Sequence, residues 1–218
     1  MQFNDIGRRA LVMGGLLTSL AWSVNSLAAA PARPFELGVE VGSAEQEYSL
    51  DEPIGDKSGD ETAFRMYGTW FPQGSTNPTN LGVRAGYSNF GAAEVYKFDV
   101  GVAEYTVESD VSAFTLGGVL AAPIGKSPLE IWGEAGVAFW DLDLDQKASV
   151  PSLGVGITDE VDSDSGTSLY AGIGAGLQLG RGFGVSLSAL WFNMEPEYGD
   201  QDVDLDIRVV SAGASLRF

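Results

Sequence analysis

The chain has 218 residues, with 12 Lys or Arg and 30 Asp or Glu, so its formal net charge is −18. It contains no Cys and no His, which excludes disulfide frameworks, thiolate metal sites and histidine-based catalysis. The negative charge opposes phosphate backbones, so we expect no nucleic-acid partner. Hydrophobic residues make up 44% of the chain, enough for a folded domain. The 29 glycines exceed the usual ~7% about twofold and need a structural explanation.

Residues 1–28 have the features of a secretory signal peptide. Arg8 and Arg9 give a basic start, and residues 10–22 are largely apolar. Ser26 and Ala28 supply small side chains at the cleavage positions. The apolar stretch is shorter than the ~20 residues that a spanning helix needs. We therefore predict cleavage after Ala28 and an exported domain of residues 29–218.

Eight later segments alternate between apolar residues and polar residues or glycine. The first segment sets Phe35, Leu37 and Val39 against Glu36 and Gly38. A period of two is typical of β-strands whose faces meet different surroundings. The segments cover residues 35–42, 64–70, 81–88, 113–122, 129–139, 169–179, 183–191 and 210–218. The chain is therefore predicted to be all-β.

The connections between these segments alternate in length. Long ones cover about residues 46–61, 90–110, 141–166 and 194–204, and short ones about residues 72–80, 121–128 and 180–182. An even number of antiparallel strands connected in this way predicts an eight-stranded antiparallel up-and-down transmembrane β-barrel. Residues 94–107 either lengthen strands three and four into a hairpin or form an irregular loop. An added hairpin there, or at residues 148–158, would give ten strands.

Glycine indicates which face of the strands is inside. Alternation alone does not separate a barrel in lipid from a water-soluble barrel or sandwich. Gly172, Gly174 and Gly176 share one face of a single segment, and glycine weakens a strand unless it has a packing purpose. A narrow barrel supplies that purpose, since its large interior side chains need small neighbours. We therefore place the glycine face inside and the apolar face toward lipid.

Aromatic residues mark both ends of the apolar face, as two interfacial girdles would require. The lower girdle, at the short connections, contains Phe35, Trp70, Phe183 and Phe218. The upper girdle, at the long connections, contains Tyr87, Phe139 and Trp191. The apolar band between the girdles is the predicted membrane-spanning part.

These features resemble the small outer-membrane β-barrel families of Gram-negative bacteria, of the OmpX and OmpA transmembrane-domain type, with OmpW as a relative. The closing alternation of residues 211–217 and the terminal Phe218 are similar to the signal that the family's assembly machinery recognises. The resemblance implies residence in the cell outer membrane, among its lipid and lipopolysaccharide. It also implies the barrel-assembly machinery as a partner. We expect a monomer without a cofactor.

Six charged residues fall on the predicted inner face. They are Glu36, Glu40, Arg65, Arg84, Glu130 and Glu134. Buried charges are costly unless they are paired, so we predict an ion-pair network that plugs the lumen; the alternative is a polar conduit or gate. The parity of the last strand points Arg208 outward, which requires either a bulge or a position above the apolar band.

Acidic residues recur at strand-like spacing in the long connections. The weak candidates for a metal site are Asp141, Asp143, Asp145, Asp200, Asp202 and Asp204. Carboxylate clusters suit hard cations, but the EF-hand pattern fails because Gln146 replaces the required Gly and Ser152 the required Glu. Solvated acidic loops are therefore the favoured interpretation, and no firm metal site is predicted.

These features predict an integral outer-membrane barrel without enzymatic activity. Its expected role is in envelope structure or in surface interactions through acidic extracellular loops, which offer a surface for an extracellular partner. The alternative is a narrow, passive, porin-like channel for small or hydrophobic solutes. Serine hydrolysis is disfavoured because it usually relies on a histidine base.

Overall fold

The computed structural model describes residues 33–49, 57–72, 80–99, 104–150, 155–179, 182–198, 201–202 and 204–218. The predicted signal peptide, residues 1–28, lies outside this part of the chain. Among the described residues, no helix is long and apolar enough to cross a membrane.

The described residues form ten β-strands. These are β1 (Phe35–Ser49), β2 (Lys57–Trp70), β3 (Asn80–Asp99), β4 (Glu104–Pro123), β5 (Leu129–Val150), β6 (Val155–Gln178), β7 (Phe183–Met194), β8 (Glu197–Tyr198), β9 (Gln201–Asp202) and β10 (Asp204–Arg217).

Eight of the strands form a closed barrel in the order β1-β10-β7-β6-β5-β4-β3-β2. All neighbouring pairs are antiparallel, while β8 and β9 pair only with each other. The first and last barrel strands close the wall, with Val39 opposite Ala214. The backbones of Phe35 and Phe218 exchange hydrogen bonds of 3.2 and 2.9 Å. The predicted eight-stranded antiparallel barrel is confirmed.

The strands on the long-connection side reach further than the sequence pattern predicted. β3 continues to Asp99 and β4 begins at Glu104, so residues 94–99 and 104–107 do lengthen these two strands. β5 and β6 likewise extend over most of residues 141–166, which were predicted as a connection. Much of the region predicted as acidic loops is therefore barrel wall.

Above the upper girdle, the polar and apolar faces of the barrel wall change sides. In the apolar band, outward Leu187 is 64% exposed. Above the girdle, Asp110 and Asp141 face outward while their chain neighbours Val111 and Leu142 are buried. The barrel therefore has the surface of a membrane protein below this level and that of a water-soluble barrel above it.

The same reversal explains Arg208. Its side chain faces outward and is 51% exposed, with guanidinium nitrogens 3.9 Å from Glu45 and 3.4 Å from Glu47. It pairs with these acids on the polar outer wall, so a position above the apolar band accounts for it.

Two interior glycines lie directly opposite large aromatic side chains of a neighbouring strand. Gly38 is opposite Tyr67, and Gly174 is opposite Trp132. A Cβ on Gly38 would lie 2.6 Å from Cε1 of Tyr67, closer than carbon atoms pack. Each of these two rings covers the backbone of the facing glycine, so glycine has a packing role at both positions.

Replacing Gly174 by alanine should therefore destabilise the barrel by about 1–3 kcal/mol, because the added methyl group collides with the buried indole of Trp132. The free energy of unfolding in urea, measured in lipid vesicles, tests this. Gly118→Ala is the matched control, since a Cβ there meets nothing within 4 Å. Equal effects of the two substitutions would contradict the packing explanation.

Candidate functional site in the barrel lumen

The structure brings the six predicted charged residues together inside the barrel, near the short connections. With Arg217 they form a group that we call the charged layer, which draws on five strands. Its members are Glu36 and Glu40 of β1, Arg65 of β2, Arg84 of β3, Glu130 and Glu134 of β5, and Arg217 of β10.

Glu134 joins two arginines from other strands. Its Oε1 accepts a hydrogen bond of 2.6 Å from Nη2 of Arg65, and its Oε2 accepts one of 2.8 Å from Nη1 of Arg84. All three side chains are at least 96% buried. Each oxygen of this carboxylate therefore serves a different guanidinium, which fixes both arginines across the lumen.

Arg84 is held from several directions at once. Its Nη2 lies 3.2 Å from Oε1 of Glu36, and its Nε donates a 2.8 Å hydrogen bond to Oγ1 of Thr69. Its Cζ also lies 4.1 Å from the centroid of the Tyr67 ring and 4.9 Å from that of Trp132. Because cations over aromatic faces are attracted by the ring quadrupole, the same rings that cover glycines also hold this arginine.

Arg217 belongs to the charged layer but was not among the predicted site residues. Its two Nη atoms donate to the Glu130 carboxylate at 2.9 and 2.5 Å, and its Nε donates to Glu36. The strand parity that points Leu216 and Phe218 outward requires Arg217 to point inward. That parity was the available signal in the sequence.

Glu40 is the most weakly paired acid of the charged layer. Its Oε2 is 3.6 Å from Nη1 of Arg65 and accepts a long hydrogen bond of 3.5 Å from Ser211. Ser211 in turn shares a 2.6 Å hydrogen bond with Ser188. With four carboxylates and three guanidiniums, the charged layer has one acid more than it has bases.

A cluster of buried hydrophobic residues lies above the charged layer, toward the long connections. We call it the apolar layer. It consists of Ala44, Tyr48, Ala63, Phe90, Val111, Ala113, Ala138, Trp140, Leu142, Leu144, Tyr170, Leu190, Phe192, Met194, Leu205, Ile207 and Val209. The ring centroid of Phe192 lies 4.8 Å from that of Phe90 and 5.6 Å from that of Tyr170. These aromatic rings pack against one another inside the barrel.

Tyr48 belongs to the apolar layer and lies above the membrane-spanning band. Its phenol is a polar group within this layer. Burial raises the pKa of its phenol to about 12, although a hydrogen bond with Ser109 acts in the opposite direction. The phenol also donates a hydrogen bond of 2.8 Å to Oε1 of Gln46. The Gln46 amide nitrogen in turn donates a hydrogen bond of 3.1 Å to the backbone carbonyl of Phe90. Tyr48 is thus neutral and hydrogen-bonded at physiological pH.

Three of the six acidic metal candidates face away from the lumen. Asp141 and Asp143 face outward on β5, and Asp204 faces outward on β10. Asp145 follows a register shift in the β5–β6 pairing. Asp200 lies outside the described residues, as does the side chain of Asp202. Among the residues that are described, no group of three acidic, His or Cys side chains is placed to hold a metal ion.

Comparisons with known proteins agree with this architecture. Residues 14–218 match the family model of the outer membrane protein beta-barrel domain. A comparison with curated proteins finds no match.

The solved structures to which the chain is similar include three outer-membrane proteins. Ail of Yersinia pestis is 17% identical, with a TM-score of 0.44 over 84% of this chain and 99% of Ail. Neisserial surface protein A is 14% identical, with a TM-score of 0.48 over 84% of this chain and 97% of that protein. OprG of Pseudomonas aeruginosa is 12% identical, with a TM-score of 0.43 over 88% of this chain and 99% of OprG. The family match places the chain in the outer membrane protein beta-barrel domain family, whose members reside in the outer membrane of Gram-negative bacteria.

Proposed function

We propose that this protein is a closed, non-enzymatic outer-membrane barrel that serves envelope structure or surface interaction. The observation that supports the proposal is the stacking of two buried layers inside one narrow barrel. The charged layer contains ion pairs between strands on different sides of the lumen, and the buried side chains of the apolar layer lie above it. Eight strands enclose an interior only wide enough for such filling.

The two layers oppose solute passage for different physical reasons. An ion that entered the charged layer would have to separate pairs such as Arg84–Glu134, which are buried and hydrogen-bonded. An ion in the apolar layer would lose its hydration without gaining a partner. A hydrophobic solute would be excluded at the charged layer, since it cannot hydrogen-bond or form an ion pair with the charged groups that it would separate. The combination therefore supports a plug over a porin-like channel.

The polar outer wall above the upper girdle is the part that we propose for surface interactions. Asp110 and Asp141 are exposed there, on the adjacent strands β4 and β5. The sequence contains no histidine, the side chain that most often serves as a general base, and this supports a non-enzymatic role.

Conductance in planar lipid bilayers tests the plug. The wild-type barrel should give no steady current steps, and slower migration of boiled samples on gels should show that the inserted protein was folded. Steady channels in the wild type that are lost or altered in Glu134→Ala or Arg84→Ala would overturn the proposal in favour of a gated channel.

A further inference from the structure

An open groove crosses the lipid-facing wall on strands β10, β1, β2 and β3. Its volume is about 750 Å³, within the range of small-molecule binding sites. The lower end of the groove lies at Phe183 and Leu216, and its upper end lies at Tyr87 and Phe114. These side chains are 42–51% exposed, and Phe183 and Tyr87 belong to the two girdles. The groove therefore lies within the membrane-spanning band, where lipid hydrocarbon surrounds the barrel.

Small outward-facing residues form the floor of the groove. Gly68 of β2 lies directly opposite Ala85 of β3, and Ala214 of β10 also lines the groove. The next outward pair above Gly68 and Ala85 is Met66 and Tyr87, whose side chains are much larger. A hydrocarbon chain in such a groove contacts the wall on several sides, and its dispersion contacts accumulate along its length.

One basic side chain, Arg33, lies at the lower end of the groove. Its Nη1 donates a hydrogen bond of 3.3 Å to the carbonyl of Arg217, which follows Leu216 in the chain. The same Nη1 lies beside Gly182, which precedes Phe183. The guanidinium is therefore held next to the two residues that form the lower end of the groove.

Arg33 retains donors for a ligand. The hydrogen bond to Arg217 uses one of its five N–H groups, and Arg33 forms no ion pair within the described part of the chain. Arg33 also shares the outward strand parity of Phe35. An apolar groove with a cation at its end matches the two parts of a phospholipid, an acyl chain and a phosphate.

We propose that the groove and Arg33 together bind one phospholipid of the periplasmic leaflet. The Arg33 guanidinium donates charge-assisted hydrogen bonds to the phosphate. One acyl chain lies along the groove from Phe183 toward Gly68 and Ala85. The short connections of such barrels are periplasmic, and Arg33 lies at that end, so the headgroup faces the periplasm.

Charge favours this lipid over two other occupants. A lipopolysaccharide would place its phosphates in the outer leaflet, where Asp110 is exposed on β4 above Phe114 and would repel them. A second copy of this chain would cover the groove with its own apolar wall but would bring no phosphate to Arg33. A phospholipid satisfies both the groove and the guanidinium.

The lipid site is independent of the proposed plug. The groove lies on the outside of the wall, so lipid binding does not require a closed lumen. It requires only that the barrel be inserted in a phospholipid leaflet. Loss of the lipid site would leave the expected conductance result unchanged, and steady conductance would leave the lipid site unchanged.

Native mass spectrometry of the protein, released from detergent micelles after incubation with phosphatidylglycerol, tests the groove. The wild type is expected to retain one lipid. Gly68→Leu should weaken this binding about tenfold, because the new side chain occupies the floor and displaces part of the acyl chain. Gly118→Leu is the matched control, since Gly118 is an outward-facing glycine of β4 that does not line the groove. Equal binding by the two variants would overturn the acyl-chain site.

Arg33→Gln tests the headgroup contact. It should weaken phosphatidylglycerol binding about tenfold and leave unchanged the binding of diacylglycerol, which has acyl chains but no phosphate. Arg208→Gln is the control, because Arg208 lies on the polar wall above the upper girdle. Slower gel migration after boiling should show that each variant was folded. Unchanged phosphatidylglycerol binding in Arg33→Gln, tighter binding of purified lipid A, or a dimer in place of the lipid-bound monomer would each overturn the proposal.

Discussion

Replacing Glu134 by glutamine is expected to destabilise the folded barrel by about 3–5 kcal/mol, the usual cost of removing one partner of a buried ion pair. The substitution keeps the shape of the side chain but leaves Arg65 and Arg84 without the carboxylate that both contact. Both guanidiniums are almost fully buried, so solvent cannot replace the lost partner. The free energy of unfolding in urea, measured in lipid vesicles, gives the effect directly.

Glu108→Gln is the control for this substitution. Glu108 pairs with Lys147 in a partly exposed position, where an ion pair usually contributes only about 0–1 kcal/mol. Similar small losses from Glu134→Gln and Glu108→Gln would show that the charged layer does not hold the interior together.

Replacing Leu187 by arginine is expected to cost about 2–4 kcal/mol in lipid vesicles, the cost of an arginine near the middle of the lipid-facing wall. Leu187 lies on the outer face of β7, midway in sequence between the girdle residues Phe183 and Trp191. It is 64% exposed in the protein alone, so a water-soluble barrel would tolerate the change within about 0.5 kcal/mol.

Asn193→Arg is the matched control on the same strand and face. Asn193 lies beyond Trp191 and donates a 2.9 Å hydrogen bond to Asp206, so an arginine there meets an acid and water. Its expected cost is at most about 1 kcal/mol. Equal costs at positions 187 and 193 would contradict the placement of the membrane band between the two girdles.

Sequence alternation predicted the strands of the apolar band but not their full length. Above the upper girdle the alternation continues, as Asp110 with Val111 and Asp141 with Leu142 show. There the acids face outward and the hydrophobic residues inward, the reverse of the band below. A period of two identifies a strand without saying which face is inside, so dense acids in these segments led to a prediction of loops.

The charged residues of the site were predictable from strand parity, but their pairing was not. Glu40 lies directly opposite Arg65 in the β1–β2 ladder, yet Arg65 is closer to Glu134 of β5. β2 and β5 are not neighbours in the wall, so this contact crosses the lumen. Such contacts depend on barrel diameter and strand tilt, which local sequence patterns do not contain.

Arg217 gives barrel closure an energetic role in folding. It lies on the last strand, and its partner Glu36 lies on the first, so the ends of the barrel meet through this contact. In an open sheet with every other strand paired, Arg217 would remain apart from Glu36, and the charged layer would be incomplete. Closing the barrel and completing the ion pairs of the charged layer are therefore one event, which favours all-or-none folding over a population of partly closed sheets.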